Sequence, residues 1–102
     1  MILENVKVDT NMNVYFDGKV TSYTVTMPDN STKTLGSMQV GEYRFNTQAS
    51  EIMDMHSGDI EVKLKDAKEF VAMPTPCSFE VEANSYFDIK INSIAGYCCS
   101  YA

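Results

Sequence analysis

Phe87-Asp88-Ile89-Lys90-Ile91 is the stretch that decides the fold class. Apolar and charged residues alternate with a period of two. An extended strand then carries three apolar side chains on one face and two charged ones on the other. The same period recurs in both directions along the chain. Ile60, Val62 and Leu64 alternate with Glu61 and Lys63, Phe79 and Val81 flank Glu80, and Tyr43 and Phe45 flank Arg44. Near the end, Tyr97, Cys99 and Tyr101 alternate with Cys98 and Ser100. No run carries the 3.6-residue stripe of an amphipathic helix.

Turn signals separate these runs at short spacing: Pro28-Asp29-Asn30-Ser31, Ser57-Gly58-Asp59, Lys65-Asp66-Ala67, Pro74-Thr75-Pro76, Ala83-Asn84-Ser85 and Ala95-Gly96. Roughly nine or ten short strands joined in this way predict an all-β sandwich or barrel. The chain of 102 residues holds one domain. Its 44% hydrophobic and 22% charged residues suit a folded core and not a disordered segment.

The formal net charge is -6. An acidic body repels phosphate backbones, so nucleic acid and anionic membrane are poor partners and neither is expected. Any use of a small anion needs local donors, and the chain has only seven Lys and a single Arg, Arg44. The opening residues lack the apolar run of a signal peptide, and no stretch has the ~20 apolar residues of a membrane span. Three cysteines, Cys77, Cys98 and Cys99, make an odd set for a disulfide framework. Together these features predict a cytoplasmic protein with reduced thiols.

Several blocks are more specific than the alternation. Tyr15-Phe16-Asp17-Gly18-Lys19-Val20-Thr21-Ser22, Gly36-Ser37-Met38-Gln39-Val40-Gly41-Glu42-Tyr43-Arg44-Phe45-Asn46-Thr47, Glu51-Ile52-Met53 with Ser57-Gly58, Asn84-Ser85-Tyr86-Phe87 and the tail Tyr97-Cys98-Cys99-Ser100-Tyr101 occur in this order without gaps. The whole pattern resembles the pyrimidine/purine nucleoside phosphorylases. That resemblance implies a small single-domain cupin, a jelly-roll β-barrel, acting as a homodimer. It also implies phosphorolysis of diverse nucleosides to free base and ribose 1-phosphate. Residues 15–102 would form the cupin domain, and residues 1–14 an amino-terminal extension, either a strand or a loose arm. Glu82 stands where the family more often has proline ahead of Asn84-Ser85.

Most cupins bind a metal through a His-x-His pair, a glutamate and a later histidine. Here Glu51 and Gly58 keep the Glu-x6-Gly spacing, but the His-x-His place falls on Glu42 and Arg44, or on Arg44 and Asn46. The later histidine position falls near Phe87. A guanidinium and a phenyl ring offer a metal no lone pair, and the single histidine, His56, has no cluster around it. The expectation is no metal and no organic cofactor, with inorganic phosphate as co-substrate.

Phosphorolysis builds positive charge on the sugar ring and negative charge on the leaving base. Under this resemblance Glu42 and Glu51 are the candidate catalytic acid and sugar-hydroxyl partner. Arg44, taken to point into the barrel, and Lys19 are the candidate phosphate cations, with Thr47, Asn84 and Ser85 as further donors. Arg44→Ala should then raise the KM for phosphate. Tyr43, Phe45 and Phe87 are the candidate stacking surfaces for a base. The residues read equally as barrel core, solvated charges and ion pairs. Two other readings stay open: a catalytically silent cupin binding a sugar or nucleotide-like ligand, and a structural dimer that associates through its sheet edge.

Overall fold

The computed structural model describes residues 1–101; Ala102, the last residue of the expected domain, lies outside them. Among these residues the regular structure is eleven strands and a three-residue 3-10 turn, Phe16–Gly18. The strands are β1 (Lys7–Val8), β2 (Asn13–Tyr15), β3 (Val20–Thr26), β4 (Thr32–Met38), β5 (Gly41–Asn46) and β6 (Glu51–Met55). They continue as β7 (Ile60–Leu64), β8 (Val71–Met73), β9 (Cys77–Val81), β10 (Tyr86–Ile91) and β11 (Ala95–Tyr101). The all-β expectation holds, with a strand or two more than the alternation suggested.

The strands form two antiparallel sheets. The larger has the order β1-β3-β4-β11-β6-β9, with β2 also paired to β3, and the smaller has the order β5-β10-β7-β8. From β4 onward the chain crosses repeatedly from one sheet to the other, which wraps both around a shared interior. The alternation seen in the sequence sets the inward face. Phe87, Ile89 and Ile91 are buried on β10, beside Tyr43 on β5 and Ile60 and Val62 on β7. The larger sheet adds Val20, Met38, Met53, Met55, Val81, Ala95, Tyr97 and Cys99 to the same core.

Cross-strand register divides this interior into two ends. At one end the aligned residues Val20, Met38 and Ala95 are apolar and close-packed. At the other end the inward positions change character. Ser22 aligns with Gly36 and Tyr97, Thr34 with Cys99 and Met53, and Tyr101 with Glu51. Polar side chains on the inner face of a barrel cannot close into a dry core without partners. That end holds a cavity.

Two short strands precede the Phe16–Gly18 turn, and both pair with β3: β1 at Val25–Thr26 and β2 at Val20–Ser22. The turn after β2 carries Phe16, Asp17 and Gly18 at positive φ, 51°, 56° and 91°. A bulky residue there is strained. The Phe16 ring offsets this by packing on Tyr43 and Phe45, with centroids 4.9 and 5.5 Å away. Gly36 is required by a close approach, since a Cβ would lie 1.9 Å from the Thr21 carbonyl oxygen.

Candidate functional site

The cavity at the polar end has a volume of about 370 Å³, within the range of small-molecule sites. Side chains from both sheets line it. Phe45 and Phe87 form one wall, stacked at 5.4 Å with 26° between their planes. The larger sheet contributes Tyr15, Ser22, Thr34, Glu51, Tyr97 and Tyr101, and Asn46 and Gln48 line the cavity from the end of β5 and the loop beyond it. Two other recesses, one at Leu64–Ala67 and Glu80–Tyr86 and one at Ser50–Ile52 and Glu80–Glu82, are lined by loops and strand ends.

A hydrogen-bonded mesh holds the polar wall. Asn13 Nδ2 donates to Ser22 Oγ at 3.3 Å and to Thr24 Oγ1 at 3.2 Å. Burial pushes the Tyr97 phenol up to about 12, with the neighbouring Ser22 lowering it only in part. The Tyr101 and Thr34 hydroxyls are 3.2 Å apart, and the Tyr101 phenol is also raised, chiefly by desolvation. Both phenols therefore remain neutral donors through the physiological range. The Cys99 thiol donates to Glu51 Oε1 at 3.0 Å. Burial first, and that bond second, raise the thiol well above its ordinary range. A buried thiol held protonated in this way is a weak nucleophile.

Of the residues singled out from the sequence, the fold brings Glu51, Phe45 and Phe87 together in the cavity. Tyr43 is buried beside them, its hydroxyl donating to the Gln39 carbonyl at 2.7 Å. Thr47 is buried but fully engaged. Its hydroxyl donates to the Glu82 carbonyl at 2.6 Å and accepts from the Ser85 amide at 2.9 Å, pinning the turn before β10. Asn84, in that turn at φ 53°, and Ser85 line the separate recess beside Leu64–Ala67. Lys19 is exposed beyond the Phe16–Gly18 turn.

The interior placement of Arg44 is corrected. Arg44 and Glu42 point away from the barrel interior, because Tyr43 and Phe45 take the inward face of β5. The Arg44 side chain is 55% exposed and pairs with Asp88 on β10 at 2.8 Å, with its guanidinium 4.2 Å over the Tyr86 ring. Burying an unpaired guanidinium among aromatic rings would cost far more than this surface pairing.

The cupin metal positions do not fit a metal here. Among the described residues no three His, Cys, Asp or Glu side chains gather into a potential ion site. Sequence reasoning missed Tyr15, Ser22, Thr34, Asn46, Gln48, Tyr97 and Tyr101. The parity of β11 was available as a signal, since Tyr97, Cys99 and Tyr101 share one face. What could not be read was which other strands face them.

The comparisons agree with this architecture. The family model described as pyrimidine/purine nucleoside phosphorylase matches residues 10–101. A Sulfurovum sp. protein named pyrimidine/purine nucleoside phosphorylase is 49% identical over 96% of this chain and 95% of its own. A Sulfurimonas denitrificans protein of the same name is 50% identical over 96% and 94%. Among solved structures, a protein of unknown function from Acinetobacter sp. ADP1 superposes with a TM-score of 0.95 at 33% identity, covering 99% of this chain and 98% of that one. The cupin domain of Schizosaccharomyces pombe Cnp3 gives a TM-score of 0.64 at 16% identity, over 92% of this chain and 70% of that one, and shares the fold alone. With its two-sheet cupin barrel and a sequence match running from residue 10 to Tyr101, the chain belongs to the pyrimidine/purine nucleoside phosphorylase family of enzymes.

Proposed function

We propose that this chain cleaves purine and pyrimidine nucleosides with inorganic phosphate, releasing the free base and ribose 1-phosphate. The observation that supports this most is the division of the cavity into an aromatic and a hydroxyl-rich wall. Stacking on Phe45 and Phe87 accepts any base, since every base has a flat π face. The hydroxyls of Ser22, Thr34, Tyr15, Tyr97 and Tyr101 suit a sugar and an oxyanion.

In the reaction a phosphate oxygen bonds to C1′ while the C1′–N bond breaks. Its electron pair leaves with the base nitrogen, which takes up a proton. The nearby anion stabilises the cationic sugar ring in the transition state. Glu51 is the acid of this reading, because it is the acidic side chain among the described cavity-lining residues. Glu42, Arg44 and Lys19 stand outside the cavity and are given no part in the chemistry. The co-substrate is inorganic phosphate, with no metal or organic cofactor.

The same reading takes the chain to be a cytoplasmic homodimer that binds neither nucleic acid nor membrane. Its acidic net charge and three free thiols support the location and the exclusions, and no helix among the described residues is long and apolar enough to cross a membrane. Tyr23 and Leu35, cross-strand partners exposed on the outer face of the larger sheet, support self-association.

The test is chromatography of uridine and adenosine incubated with the protein, with and without phosphate. Uracil and adenine should appear only when phosphate is present. Release without phosphate would make the chain a hydrolase, and no release would leave a silent ligand-binding cupin.

A further inference from the structure

We propose that the phosphate accepted by this cavity is the monoanion, dihydrogen phosphate, and that its own proton, relayed through Glu51, is the one the departing base carries away. This rests on the phosphorolysis reading and deepens it. The observation behind it is an imbalance of charge. Among the described residues lining the cavity there is a carboxyl side chain, Glu51, and no Lys, Arg or His. The donors are neutral: Tyr15, Ser22, Thr34, Tyr97 and Tyr101.

The surroundings reinforce that imbalance. On β11, Tyr97, Cys99 and Tyr101 face Glu51 as neutral groups, each raised mainly by burial. On the β9 side the inward residues are the uncharged Phe79 and Val81, and the exposed Glu80 and Glu82 border a separate recess. On β4 the inward residue is Thr34, while Lys33 turns away to donate to Ser100 Oγ at 2.6 Å. A dianion placed here would meet the Glu51 carboxyl group without a balancing cation in the cavity lining. A monoanion carries half the charge and brings O–H donors. Glu51 Oε1 already accepts from Cys99, so Oε2 is the atom that accepts the phosphate proton, as a charge-assisted O–H···O bond.

The proton balance closes without any other reactant. The anionic oxygen of dihydrogen phosphate bonds to C1′, and the C1′–N pair leaves with the base. One P–O–H proton passes to Glu51 and from Glu51 to the base nitrogen. The products are neutral base and monoanionic ribose 1-phosphate, with Glu51 restored.

The experiment measures the KM for phosphate with saturating uridine across pH 6 to 8.5, with sulfate as a competing dianion, for the native chain and Glu51→Gln. The KM for total phosphate should rise about tenfold per pH unit above the second ionisation of phosphate, following the monoanion fraction. Sulfate, which has no proton to give, should not compete. Glu51→Gln should lower kcat, flatten the KM profile and admit sulfate as a competitor. Should that variant fail to fold, the native profile and the sulfate arm still decide. A flat native KM, or native competition by sulfate, overturns the inference while leaving phosphorolysis standing, and points to a cation supplied by a second copy. Base release that does not depend on phosphate overturns both.

Discussion

The Arg44 guanidinium grips the carboxylate of Asp88, its register partner on the neighbouring strand. Nε donates to Oδ1 at 2.8 Å and a terminal nitrogen to Oδ2 at 3.1 Å. Asp88 is only 8% exposed, and its other cation, Lys63, is 3.9 Å away. Arg44→Ala should therefore lower the melting temperature and leave the KM for phosphate where it is. Hydrogen bonding from Arg44 holds the Asp88 carboxyl below the ordinary aspartate range. A depressed carboxyl stabilises the fold above its unfolded pKa and loses that contribution as pH falls through the folded value. The melting gap between native chain and variant should close below about pH 4.

Tyr97 makes the opposite prediction at high pH. Its phenol is pushed up to about 12 by burial, above the ordinary value near 10. The unfolded chain loses that proton first, so stability present below about pH 10 should fall as pH rises toward about 12. Urea midpoints measured from pH 9 to 11 should show the decline, and Tyr97→Phe should make it shallower. An unchanged slope in the variant would mean that other buried acids, such as Cys99 and Tyr101, carry the effect.

Gly36 and Gly96 offer a matched pair. A Cβ on Gly36 would meet backbone, Thr21 O at 1.9 Å and Ser22 Cα at 2.7 Å, which cannot swing aside. A Cβ on Gly96 meets only the Ser57 hydroxyl, at 3.2 Å. Gly36→Ala should cost roughly 1–3 kcal/mol or more in denaturant unfolding, and Gly96→Ala clearly less. Because Ser22 stands in the cavity wall, the first substitution should also raise the KM for nucleoside.

The three thiols should differ in reactivity. Cys98 and Cys99 are buried, Cys77 is partly accessible, and burial raises all three. Timed alkylation of the native protein, followed by peptide mass analysis, should label Cys77 first and spare the other two until denaturant is added. Rapid native labelling of Cys99 would contradict its bond to Glu51 as the state populated in solution.

Much of the barrel was legible because strand residues report their faces by parity. Phe87, Ile89 and Ile91 announce a buried face whatever lies beside them, and the Pro28–Ser31 and Ser57–Asp59 turns mark where chain direction changes. Parity sorts residues into two faces without saying which one points inward. On β5 the analogy with metal-binding positions favoured Arg44, and packing favoured Tyr43 and Phe45. Packing prevailed because a charge loses its hydration inside while an aromatic ring gains by leaving water.

The sequence alone determined an all-strand domain, its family and two of the aromatic faces, since those depend on local alternation and on ordered blocks along one chain. Only the tertiary structure decided the membership of the cavity. Ser22, Thr34, Glu51 and Tyr97 come from four strands and meet because cross-strand register places them in neighbouring rows at one end of the barrel, while Tyr15 reaches the same cavity from β2, where its register partner is Val20. Such alignment is a property of hydrogen-bonded neighbours distant in sequence, and no local pattern encodes it.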